Sequence, residues 1–460
     1  MSSRAHTGQG AGGHRPHPWA AACGAVILAW GALGPSPSAL AAATASLPAW
    51  YVATQPSGVF SLAPAVACVS GGSDCVAIGA GTACAKMVGT ICVAQRSFNV
   101  AEYSRDKGLS WQVARVPVAA DGQFIGLAAV SCAPTGRSRT DCAAWAMLTP
   151  GIGASPSEQV AYFSDNGGAS WSVASPPAPV GQASWQAPVV SCYEVDLGVD
   201  CVGAPDSVGT LYSTNGGASW SASSSVPSRS FGPLAAQDLS CVVSRGHMDC
   251  VGVGYVFDAA TSTPADTAWY STDGGAKWAP GVLPQRVGEL NTVSCFASRG
   301  QVSCAALGTE TTGSITANVA VYSQDAGKSW SNSVFPAHVA LPSPWGSVSC
   351  AAAGARTECA ASGSTLLFSA DGGAYWVTTS DPNGAWGDLD CLASVPGPSC
   401  YVVGARAAYS GDGGATWSAS KAARGFDVQD SSLRDNIACV SAGDCTVAGT
   451  TELFSNNPQA

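Results

Sequence analysis

Cysteine is the residue whose chemistry this sequence carries in greatest excess. Nineteen of 460 residues are Cys, and thiols in such number either hold metal or are oxidised. Zinc sites favour C-x-x-C knuckles. Here the partners mostly stand nine residues apart: Cys192 with Cys201, Cys241 with Cys250, Cys295 with Cys304, Cys350 with Cys359, and Cys391 with Cys400. Cys68 with Cys75, Cys132 with Cys142 and Cys439 with Cys445 vary that gap slightly, and Cys84 with Cys92 makes a ninth pair inside an insertion. Each pair brackets a short polar loop between two small-apolar runs, which reads as a hairpin with one cysteine on each strand. A disulfide is expected in each hairpin, worth roughly 2.5 to 3 kcal/mol by loop-closure entropy. The odd cysteine, Cys23, lies in the N-terminal leader, and no metal site or cofactor is expected.

A second constellation places acids in register. Seven segments share one pattern: YSRDKGLSW, FSDNGGASW, YSTNGGASW, YSTDGGAKW, YSQDAGKSW, FSADGGAYW and YSGDGGATW. Asp106, Asp273, Asp325, Asp371 and Asp412 hold one position in it, and Asn166 and Asn215 hold that position in two copies. Aligned carboxylates could be acids or metal ligands. The asparagines remove charge without removing pattern, which points to a side chain that accepts backbone N–H bonds across its own turn. The glycine after it permits positive φ, and the tryptophan that follows packs between sheets.

The elements that position these residues follow from the period. The tryptophans lie 41 to 60 residues apart, which suits a propeller blade of four strands. Strand A ends in the first Cys, B begins at the second, C leads into the glycine turn, and D begins at Trp. Cysteine hairpins number eight, and a ring of seven blades with one irregular unit stays open because the first unit carries an insertion. The last unit, IACVSAGDCTVAGTTELFSNN, stops before its Trp, whereas LPAWYVATQP near the N-terminus resembles a D strand with no A, B or C before it. Trp50 is therefore expected to supply the outer strand of the final blade and close the ring.

Residues 1–45 read as a secretory signal peptide, with a weakly basic start, the apolar stretch Trp19 to Gly34 and small residues before a cleavage point at Ala41 or Ala45. Residues 46–460 then form a single propeller without a membrane-spanning segment, secreted or periplasmic. Charged residues make up 11% of the chain, with 30 acids against 20 bases, so there is no basic footprint for nucleic acid.

The turn S-x-D-x-G-x-S/T-W resembles the Asp-box, or bacterial neuraminidase repeat, of sialidases and other secreted β-propellers, and it recurs through the chain beyond the leader. The resemblance implies an all-β propeller in which these turns are structural and remote from any active site. The A–B and C–D turns share one face, and the B–C and D–A connections share the other, where propellers of this kind bind ligands. From the second Cys to the turn serine, the distance is 29, 22, 21 and 19 residues in units one, two, four and five, and 10 to 12 in the rest. Long loops would form a wall beside an open shelf. Candidate ligand-face residues are Trp185, Trp345, Trp386, Arg115, Arg229, Arg286, Glu289 and Asp388.

No catalytic residue stands out. A sialidase would need three arginines for the substrate carboxylate, a Tyr-Glu nucleophile pair and an Asp acid/base, and the family's R-I-P motif is absent. Arg137, Arg139, Arg245, Arg299 and Arg356 fall in the cysteine loops, on the other face. The chain is expected to be a non-catalytic binding or assembly module for a protein or glycan partner, as photosystem II assembly factors and sortilin-type receptors use such blades. The alternative is a sialidase-like or other glycoside hydrolase.

Overall fold

The computed structural model describes most of residues 49–455; residues 1–48, 118–123, 150–157, 176–187, 226–233, 337–345, 422–436 and 456–460, with some shorter stretches, lie outside the described residues. The signal-peptide reading falls on those outside.

Small and β-branched residues flank each cysteine, and glycine turns interrupt them, so the chain doubles back within a few residues. Eight four-stranded antiparallel sheets result. Blade 3 is the simplest: Val189–Val195 (A), Gly198–Ala204 (B), Leu211–Ser213 (C) and Ser221–Ala222 (D). Cys192 and Cys201 face each other in register and are joined. The same geometry holds in every blade, for Cys68–Cys75, Cys132–Cys142, Cys241–Cys250, Cys295–Cys304, Cys350–Cys359, Cys391–Cys400 and Cys439–Cys445. The side chains of Cys84 and Cys92 lie outside the described residues.

The eighth blade takes its outer strand from the other end of the chain. Ile437–Ser441, Asp444–Ala448 and Leu453–Ser455 are completed by Tyr51–Val52, with Tyr51 opposite Ser455 and Val52 opposite Phe454. Trp50 sits where the other turn tryptophans sit, its ring against Tyr401 of blade 7. The long B–C connections of blades 1, 2, 4 and 5 are paired ribbons where the sequence reads as loops. Cys75–Val88 pairs with Ile91–Ser104, and Gln301–Thr312 with Ile315–Ser323, because alternating Thr, Val and Ala residues continue the ladder.

Blades are joined at the rim by backbone bonds, and each turn is closed by hydrogen bonds of its own. At the rim, the tryptophan N–H donates to the carbonyl four residues beyond the previous tryptophan: Trp171 to Arg115, Trp278 to Ser224, Trp50 to Lys421, and Trp111 to Thr54. Both bonds that flank the closing strand are thus of the ordinary kind. At the turn, the serine hydroxyl accepts the N–H of the second glycine, as Ser213 does from Gly217 at 2.9 Å. The aligned acid or amide accepts the N–H four residues on, at 2.9 Å for Asp273 from Lys277 and 3.0 Å for Asn215 from Ser219. Asn and Asp do the same work.

The second glycine also does something its φ alone does not require. A Cβ on Gly217 would lie 2.7 Å from Ala143 Cβ, on Gly327 2.6 Å from Val251 Cγ2, and on Gly414 2.8 Å from Ala360 Cβ. Gly168 and Gly275 meet Val76 and Val202 more closely still. In each case the neighbour is the residue after the second Cys of the preceding blade. The first glycine position is tolerant, since Lys107 and Ala326 occupy it at φ 63° and 61°.

One buried position breaks the apolar pattern. The residue before the turn aromatic is Tyr162, Leu211, Trp269, Val321, Leu367, Ala408 or Leu453, and in blade 1 it is Glu102. Glu102 is fully buried, and neither of its carboxylate oxygens has a hydrogen-bond partner among the described residues. It stands opposite Ala77, on the face of blade 1 that packs against Val440, Ala448 and Leu453 of blade 8. Burial pushes its pKa from 4.5 up to about 7.

Two outcomes follow. Gly275→Ala is expected to cost about 3 kcal/mol, from left-handed strain plus overpacking. Gly274→Ala in the same turn, whose nearest neighbour is Asp200 Oδ2 at 3.5 Å, is expected to cost about 1 kcal/mol; urea unfolding of the two variants separates them. Because the folded pKa of Glu102 lies above its unfolded value, the contribution of this residue to stability is most favourable below pH 4.5 and falls as the pH rises to about 7. Glu102→Leu should therefore raise the unfolding free energy at pH 8 by about 3 kcal/mol and change it little at pH 4.

Candidate functional site: the central channel

The innermost strands, A, of all eight blades surround a channel with a cavity of about 470 Å³. Its wall is built from the dipeptide that precedes each disulfide. Ser131, Ser191, Ser240, Ser294 and Ser349 stand immediately before the first cysteine in blades 2 to 6, Asp390 does so in blade 7, and Ala67 and Ala438 do so in blades 1 and 8. The hydroxyls accept the cysteine N–H of the following blade: Ser131 from Cys192 at 3.0 Å, Ser240 from Cys295 at 2.9 Å, Ser294 from Cys350 at 3.0 Å and Ser349 from Cys391 at 3.0 Å. Asp390 continues the series, accepting from Cys439 at 3.0 Å.

Two residues earlier on the same strands, a second tier is formed by Asp238, Thr292, Ser347 and Asp388. Asp238 accepts from its own Leu239 N–H at 2.8 Å and, across the blade junction, from Thr292 Oγ1 at 3.0 Å and Val293 N–H at 2.9 Å. Asp388 accepts from Ser347 Oγ and Leu389 N–H, both at 2.9 Å. Nearer the turn end, Glu194 accepts the Gly136 N–H at 2.9 Å. Four carboxylates therefore face the cavity, and no Lys, Arg or His is among the described residues lining it.

The electrostatics follow from that imbalance. Burial raises the Asp390 pKa from 3.8 to about 6; the Asp388 charge adds to this, while the N–H bonds from Cys439 and Cys391 oppose it. Tyr193 also lines the cavity, where it is 38% exposed, and enclosure by the channel wall together with the Asp390 carboxylate pushes its hydroxyl pKa up. The turn acids behave oppositely: at Asp106, Asp325 and Asp412, hydrogen bonds from serine or threonine outweigh burial and hold the carboxyls below the usual range. Among the described residues, no group of three His, Cys, Asp or Glu could hold a metal ion, and no helix is long and apolar enough to cross a membrane.

The sequence-derived candidates are dispersed. Asp388 lines the channel. Arg115 is exposed on the outer rim, bonded through its backbone to Ala169 and Trp171, because it is the residue four beyond a tryptophan that each blade uses to bridge to the next. Glu289 is half-buried at the start of blade 5, where its carbonyl accepts the Thr309 N–H at 2.8 Å, and it is not part of the channel wall. Trp386 begins strand A of blade 7 with its side chain outside the described residues. Trp185, Trp345, Arg229 and Arg286 lie outside them altogether. Asp390 belongs with Asp388 among the charged groups read onto the ligand face, whereas Asp238, Glu194 and Tyr193 were missing from it. The signal for Asp390 was present, as the one acid in the place of the serine that precedes the first cysteine.

No protein-family model matches the chain, and no curated protein sequence does. Solved structures align with the chain at low identity. YCF48 bound to D1 peptide aligns at 13% identity over 89% of this chain and 96% of its own, with a TM-score of 0.43. An α-L-arabinofuranosidase of Fusarium graminearum, in complex with an iminosugar inhibitor, aligns at 10% over 88% and 96%, TM-score 0.43. Trypanosoma rangeli sialidase, in complex with sialic acid, aligns at 11% over 81% and 56%, TM-score 0.39. The eight sheets and their order define this chain as an all-β propeller, and the eight disulfides among its described residues suit an oxidising compartment.

Replacing Asp390 with the serine used in five other blades keeps the acceptor and removes the charge. Since the folded pKa is raised, Asp390 lowers stability progressively from about pH 4 to pH 6 and above. Asp390→Ser is expected to raise the unfolding free energy by about 2 kcal/mol at pH 8, less than the full shift because channel water screens the charge. At pH 4 the two proteins should unfold at the same urea concentration.

Proposed function

We propose that this is an exported, disulfide-stabilised propeller of the Asp-box type that acts as a non-catalytic binding or assembly module, taking a protein or glycan ligand at the channel. Export is supported by the leader sequence and by the one-disulfide-per-blade plan. The Asp-box assignment is supported by the serine, acid and glycine bonds of the repeated turn.

One observation carries the functional reading: the channel is lined by four carboxylates, each accepting at least one backbone N–H, with no cation among the described residues that line it. Such a wall repels carboxylate ligands and suits neutral hydroxyl-rich or positively charged ones. That argues against a sialidase, whose substrate is an anion. The hydrolase alternative has one observation in its favour, since Asp390, its pKa raised to about 6, stands near a second carboxylate, Asp388.

An array of neutral, amino-substituted and sialylated glycans, together with basic and acidic peptides, tests the binding reading. Neutral or basic ligands should be retained, with loss on Asp388→Asn, and sialylated or acidic ligands should not. Release of reducing sugar from neutral glycosides that disappears in Asp390→Asn would establish the hydrolase instead.

A further inference from the structure

The turn-bearing end of the ring carries a second charged system, unrelated to the channel. In six blades the residue before the second cysteine is an acid: Asp74, Asp141, Asp200, Asp249, Glu358 and Asp444. Four of them are matched by one base each. Arg105 pairs with Asp74 at 3.0 Å, Arg139 with Asp141 at 3.3 Å, Arg356 with Glu358 at 2.6 Å and Lys107 with Asp444 at 2.8 Å, and these are the four ion pairs among the described residues.

At Asp249 the pattern changes. Three bases, His247, Lys328 and Arg245, bear on this carboxyl electrostatically, yet none is in ion-pair contact with it. Asp249 is buried, and burial outweighs the three bases, keeping its pKa above the usual range. The bases line a cleft of about 430 Å³ between blades 4 and 5, with Gln301, Gln324 and Asp325. Asp325 is already engaged, accepting from Ser323, Ser329 and the Ser329 N–H within its own turn. Arg245 lies across Gly300, with Nε 3.1 Å from where a Cβ would stand, and Lys328 Nζ is held 5.9 Å from the Tyr270 ring. Lys328 also bears electrostatically on Asp325, yet neither Arg245 nor Lys328 makes an ion-pair contact among the described residues.

We propose that the cleft between blades 4 and 5 is a binding subsite for a small oxyanion group, a carboxylate or a sulfate. Arg245 and Lys328 supply the charge, and His247, Gln301 and Gln324 supply further hydrogen-bonding groups around it. An oxyanion there gives these cations the ion-pair contact that single bases make with four of the other acids. None of these residues belongs to the channel wall, so the subsite does not depend on the function proposed above.

Isothermal titration of the whole protein with sodium sulfate, sodium glucuronate and glucose at matched ionic strength tests this. Saturable binding of sulfate or glucuronate without binding of glucose is expected. Arg245→Ala and Lys328→Ala, both at exposed residues, should each weaken it about tenfold. Asp249→Asn should tighten it, and Arg299→Ala, at the next hairpin tip, should leave it unchanged. Glucuronate binding more tightly than sulfate identifies the group as a carboxylate, and the reverse order identifies a tetrahedral oxyanion. Absence of saturable binding by either anion, or equal affinities in wild type, Arg245→Ala and Lys328→Ala, overturns the proposal.

Discussion

The approach of one α-carbon to the strand of the blade before it sets the spacing of the ring. At each glycine turn the second glycine rests on the residue following the preceding blade's second cysteine, at a distance where a methyl group would not fit. Blade separation is therefore fixed by backbone against a short alanine, valine or threonine side chain in a close-packed junction. Around this contact the other features fall into place. The aspartate or asparagine holds the turn so that the glycine points inward, and the tryptophan anchors the strand that follows.

The disulfides stand between two such contacts. In blade 3, the N–H of Cys192 reaches back to Ser131 of blade 2, and Val202, next to Cys201, receives Gly275 of blade 4. Each bridge ties the point where a blade is held to the point where it holds the next. This gives the cysteines a role beyond stapling a hairpin that hydrogen bonds already close. Where the chain has alanine instead of serine, at Ala438 and Ala67, blade 1 loses the inner bond on both sides. Those are also the places where Lys107 reaches Asp444 across the junction and Arg105 donates to the Asn166 carbonyl of blade 2. Charge substitutes for the missing hydroxyls.

Much of this was legible in the sequence, because repetition converts weak local signals into strong ones. Eight of the nine expected disulfide pairings, the four-strand unit, the eight blades and the closing role of Trp50 all follow from comparing copies. The glycine was read for its φ alone, since a contact with another blade has no trace in its own turn. The channel was hidden for a related reason. V-S-C looks like the end of a strand until neighbouring strands are placed beside it, and only then does the serine become an acceptor and Asp390 an exception. Glu102 was visible in the same way, as a charge in a column of apolar residues, but its weight comes from the absence of any partner within the junction it faces. The long B–C segments were misjudged as loops because Thr-rich ribbons lack the strong hydrophobic alternation of a buried strand.

The pairing of Tyr51–Val52 with Phe454–Ser455 spans about 400 residues, whereas each disulfide spans six to ten. These two scales order events in time. As a chain of this kind is delivered end first, hairpin after hairpin can form and oxidise locally, with little entropy lost at each step. The closing strand is among the first segments to arrive and must wait, unpaired, until the last blade exists. Assembly thus proceeds as a growing arc with two open edges, and its final step is a noncovalent capture whose speed depends on how well that early segment is kept free.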